Sequence, residues 1–76
     1  MNDTRAIQAL DDVKAGTAAL DDARGTLVDL LAESPPFSER DIQALEANQA
    51  ALSRMLLRAN AVIGSMTRIL ERNTHA

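Results

Sequence analysis

The residues that could do chemistry in this 76-residue sequence are few, and their spacing keeps them apart. His75 is the only histidine and stands next to the last residue, without a ligand or acid–base partner nearby. The serines and threonines therefore have no imidazole beside them to raise their nucleophilicity. There is no cysteine, which removes thiolate chemistry, disulfides and thiolate metal sites together. Asp11, Asp22, Asp29 and Glu33 are the obvious carboxylates. At ~100° per residue they gather on one side of a helix, opposite its apolar positions, as a solvated face and not as a catalytic pair. Arg54, Arg58, Arg68 and Arg72 would suit phosphates, but there is no Trp or Tyr to stack on bases. Residues 1–34 also carry seven acids against three bases, which repels nucleic acid. The expectation is no catalytic, cofactor-binding or metal-binding residue, no cofactor, and no nucleic-acid partner.

What remains is shape. The chain is a single domain, residues 1–76, and one this short buries only roughly 60% of its unfolded surface. Such a core is marginal without a staple, so association with another chain is the expected source of extra burial. Ala, Leu, Asp and Arg dominate, and Gly and Pro are scarce, a helix-forming composition. No apolar run approaches the ~20 residues of a membrane span, and MNDTRAIQALDD lacks the basic start and apolar core of a secretory signal. A cytoplasmic protein without membrane insertion is expected.

Periodicity gives the elements. Ile42, Leu45, Gln49, Leu52, Leu56, Ala59, Ile63, Met66, Leu70 and Asn73 are separated by alternating steps of three and four, an a/d seam for packing against another helix. Ala6, Leu10, Val13, Thr17, Leu20, Arg24, Leu27 and Leu31 form a second seam. The fold class is all-α: an antiparallel two-helix hairpin over about 3–33 and 38–73, with a turn at 34–37 and a disordered tail at 74–76. Dimerisation or a partner chain is expected to complete it into a bundle. Gly16, Ala9 and Ala23 flank the first seam, where small side chains let a neighbouring helix approach closely.

The corner LAESPPFSERDI explains itself locally. Ser34 precedes Pro35 and is pushed out of the α region, ending the first helix, while Pro36 stiffens the turn. Ser38 is the N-cap of the second helix, with Asp41 as the acidic member of a capping box. Phe37 and Ile42 are placed to form a hydrophobic staple across that cap. Folding about this corner brings Arg24 level with Gln49. Either they form a polar layer that fixes register, or Arg24 carries its guanidinium out to water.

The second helix carries more apolar surface than one neighbour can cover. Met55, Val62 and Ile69, spaced by seven, lie beside Leu56, Ile63, Met66 and Leu70 in a broad strip. A contiguous apolar strip usually marks a protein contact, so these residues are the candidate partner-binding set.

The segment ANAVIGSMTRIL, residues 59–70, resembles the second helix of the YscE-type co-chaperones of bacterial type III secretion. The matching features are Ala59, Ala61, Val62-Ile63, Met66 and Leu70, with the preceding corner and the helix length. Leu45, Gln49, Leu52-Ser53, Leu57 and Asn60-Ala61 are similar to the second helix of needle subunits. The first resemblance implies cytoplasmic binding of an aggregation-prone helical client, and the second a self-assembling structural subunit. A non-catalytic adaptor is the leading expectation. The alternatives are a needle-like subunit and a small helical regulator or phage-encoded inhibitor.

Overall fold

A computed structural model describes residues 3–74. It is a helical hairpin: α1 spans Asp3–Ala32, α2 spans Glu39–Thr74, and the two pack against each other. No strand occurs among the described residues. The helices have 30 and 36 residues, about 45 and 54 Å at 1.5 Å per residue. They form a rod of 57 × 15 × 14 Å with a radius of gyration of 17.2 Å. A compact chain of this length would have about 11 Å.

The burial pattern follows the two seams. In α1, Ala6, Leu10, Val13, Thr17, Leu20, Arg24, Leu27 and Leu31 are buried or half-buried. In α2 the same holds for Ile42, Leu45, Gln49, Leu52, Leu56, Ala59, Ile63, Met66 and Leu70. Asn73 departs from that pattern: it is exposed, and its side-chain amide donates to the Ile69 carbonyl at 2.7 Å. The cause is length. α2 outruns α1 by six residues, about four of them at this end, so its last turn extends past the described start of α1. Thr74, expected in a disordered tail, still belongs to α2, whereas His75 and Ala76 lie outside the described residues.

Among the described residues, only Leu10 and Leu56 are buried hydrophobic residues, at 8% and 7% exposure. Two helices enclose a line of contact, not a volume. Even seam residues keep one flank toward solvent. Thr17 uses its seam position economically, donating its hydroxyl to the Val13 carbonyl at 2.7 Å.

Ser34 leaves the right-handed α region, as its place before Pro35 requires, and enters the left-handed one, with φ of 53°. That geometry lets its N–H donate to the Leu31 carbonyl at 3.3 Å, one arm of a Schellman closure. The other arm would need an N–H on the next residue, which is Pro35 and has none. The Glu33 N–H is shared between the Asp29 and Leu30 carbonyls, each at 3.2 Å, which satisfies two of the orphan acceptors. Pro36 then sits in a tight turn, closed by the Phe37 N–H donating to the Pro35 carbonyl at 2.8 Å.

Ser38 caps α2: the Asp41 N–H donates to Ser38 Oγ at 3.1 Å, and the Ile42 N–H donates to the Ser38 carbonyl at 3.0 Å. Only this half of the capping box forms. The Ser38 N–H does not donate back to the Asp41 carboxylate, whose side chain is shorter than the Glu or Gln of that motif. Glu39 and Asp41 do place negative charge in the first turn, and Arg72 places positive charge in the last, both favourable to the helix dipole. Phe37 is 45% exposed and shares a shallow cleft with Asp41, Ala44 and Leu45, not with Ile42, on which the staple was expected.

Candidate functional site: an uncovered apolar face

The hairpin has two long sides, set by which residues flank the seams. One is a cleft of about 580 Å³ lined by Lys14, Asp21 and Arg24 on α1 and by Ser53, Leu57 and Asn60 on α2. Thr17 and Ala18 lie along this cleft with Leu56, which fixes the level at which the helices meet. Its flanking positions are mostly polar. The opposite side carries Ala9, Gly16, Ala23 and Leu30 on α1 beside Met55, Val62 and Ile69 on α2. Each α2 residue there lies one position before a seam residue.

The seven residues expected to bind a partner are divided by the structure. Met55, Val62 and Ile69 are 49%, 42% and 45% exposed. Leu56 is buried at 7% exposure, in the core between α1 and α2. Ile63, Met66 and Leu70 are half-buried, because the a and d positions of α2 face α1. The uncovered part of the strip is therefore one column of three, with the edges of Ile63, Met66 and Leu70 beside it.

Leu57 lies outside the expected partner-binding set, yet at 77% it is the most exposed large hydrophobic side chain among the described residues. Its seam neighbour Leu56 hides it in the sequence, since a leucine pair reads as core. Ile7 and Val28, on the same side as Leu57, are also exposed.

The proposed register layer forms differently. Arg24 and Gln49 are both half-buried at seam positions, but Arg24 bonds along its own helix, Nη2 to Asp21 Oδ1 at 3.2 Å. Its Nε is buried with no partner. The guanidinium follows the outward path, because an exposed carboxylate three residues back is within reach and Gln49 is not bonded to it. Gly16 and Gly25 have nothing within 4 Å of where a Cβ would sit. Neither is needed for close approach of α1 to α2.

Asp11, Asp22, Asp29 and Glu33 are exposed, as expected of a solvated face. Among the described residues, no group of His, Cys, Asp and Glu could hold a metal ion, and no helix is long and apolar enough to cross a membrane. Compared with protein-family models, curated proteins and solved structures, the chain matches none.

Proposed function

We propose that this chain is a non-catalytic protein–protein interaction module whose α2 packs against partner helices through Met55, Val62 and Ile69. The observation that supports it is the exposure of this column along a helix whose next column is already occupied by α1. Withdrawing such side chains from water contributes about 25 cal/mol per Å² of apolar area, which the isolated hairpin forgoes. In its specific form, the module is a small cytoplasmic adaptor or co-chaperone of type III export, holding an aggregation-prone helical client. The resemblance of residues 59–70 to YscE-type proteins supports that form.

Capture from the host cell with tagged wild-type chain and with Val62→Glu and Ile69→Glu tests it. The expected result is a small helical export substrate retained by wild type and lost from both variants. Identical recovery by all three chains would show that the column is not the contact surface. Recovery of a client unrelated to secretion would remove the export role and leave the module.

A second reading, a self-assembling structural subunit, is favoured by one observation. Leu57, Ile7 and Val28 leave apolar side chains on the other long side as well. A rod with contacts on both sides can propagate, whereas one with a single contact face closes. Growth of the pure protein beyond a small complex on concentration would favour it.

A further inference from the structure

The exposed column calls for an occupant, and the chain itself supplies a matching surface. The accessible surface is 5769 Å², against about 4,500 Å² for a compact protein of 8.2 kDa. The excess of about 1,200 Å² is enough for one interface of standard size, which takes about 800 Å² from each partner.

The same long side of the hairpin holds two columns of equal pitch. Met55, Val62 and Ile69 repeat at seven on α2, and Ala9, Gly16 and Ala23 repeat at seven on α1. One is large and apolar; the other is small, and Gly16 has open space beside its Cα. Charge follows the same plan. Arg58 lies on the outer edge of α2, one helical turn from both Met55 and Val62, while Asp12 lies on the outer edge of α1, one turn from both Ala9 and Gly16.

We propose that the occupant is a second copy of this chain, related by a two-fold axis along the hairpin, so that α2 of each copy lies on α1 of the other. This rests on the module reading and names its partner. The rotation keeps every residue at its own level along the rod. The cleft lining places Thr17 and Ala18 alongside Leu56 and Leu57, so Met55 of one copy reaches the Gly16 level of the other. Met55 and Val62 then fill the hollow over Gly16 and Ala9, Ile69 lies past them toward the start of α1, and Arg58 meets Asp12 of the partner copy. The contact is isologous and closes at two chains. Leu57 and Ile7 stay outside it, and a heterologous client using the same column must displace the second copy.

Sedimentation equilibrium between about 1 μM and 1 mM should give twice the 8.2 kDa chain mass at the upper end. Asp12→Arg should weaken the dimer about fivefold, and adding Arg58→Asp should restore it. Because the chain has no cysteine, Gly16→Cys and Met55→Cys report the arrangement directly under mild oxidation. A mixture of the two variants should cross-link into heterodimers, and neither should cross-link alone. Efficient linking of Met55→Cys to itself would place α2 on α2 and overturn the arrangement. A monomer at every concentration, or growth past two chains, would overturn the dimer. If wild type is monomeric but Val62→Glu still abolishes capture of another protein, the second copy fails and the module reading stands.

Discussion

Gly25 lies within α1, is exposed, and has nothing within 4 Å of an added Cβ. It also lies off the side of the hairpin that carries Met55 and Gly16. Gly25→Ala therefore changes backbone freedom and nothing else. Alanine in an exposed helix interior is more favourable than glycine by about 1 kcal/mol. For a chain of 76 residues, with unfolding entropy of about 2.1 cal/mol/K per residue, that corresponds to a rise of about 6 °C in Tm. The assay is a thermal melt followed by circular dichroism at 222 nm, run on wild type and variant at matched concentrations. The shift should be the same at low and high concentration, since Gly25 contacts no other chain in this arrangement. A fall in Tm would refute the reasoning, because it would mean that something closely packed occupies the space beside Gly25. A shift present only at high concentration would mean that the association surface includes it.

Other substitutions separate the remaining claims. Leu56→Ala should cost about 2–5 kcal/mol by urea denaturation, the range for a buried leucine, whereas Leu57→Ala next to it should change stability by less than about 0.5 kcal/mol. Ser38→Ala should cost about 1 kcal/mol in the same experiment by removing the acceptor for the Asp41 N–H. Ser34→Gly should stabilise by about 1 kcal/mol, since glycine takes the left-handed conformation without the Cβ clash, and a loss would mean the corner is not left-handed in solution. Arg24→Leu should raise Tm by removing a buried Nε without a partner, and an unchanged or lower Tm would show that the Asp21 pair outweighs it.

The seams were legible because the steps of three and four persist across both helices, and a helix has few ways to bury such a stripe. The corner was legible for similar reasons: two adjacent prolines, a serine cap and acids in the first turn are local signals. The same rule placed Ser34 outside the α region but did not say where; closing α1 favoured the left-handed state. The width of the apolar strip was visible in the spacing of Met55, Val62 and Ile69. How much of it α1 covers was not, because that depends on the direction from which α1 approaches. One residue of rotation separates buried Leu56 from half-exposed Met55 on one flank and from Leu57 in open solvent on the other. The partner of Arg24 was open for a related reason. A long side chain at a seam position can turn across or along its helix, and sequence spacing offers it Asp21 and Gln49 alike.

Val62 and Ile63 put the central claim in adjacent positions, one on the uncovered column and one on the seam against α1. Light scattering and circular dichroism on Val62→Glu and Ile63→Glu, at one concentration where wild type is associated, test it most directly. Val62→Glu should remain largely helical but lose its partner chain, while Ile63→Glu should lose helicity, because its charge falls between the two helices. Val62→Glu that associates like wild type, or Ile63→Glu that keeps its full helicity, would contradict a hairpin whose outward column is an interface.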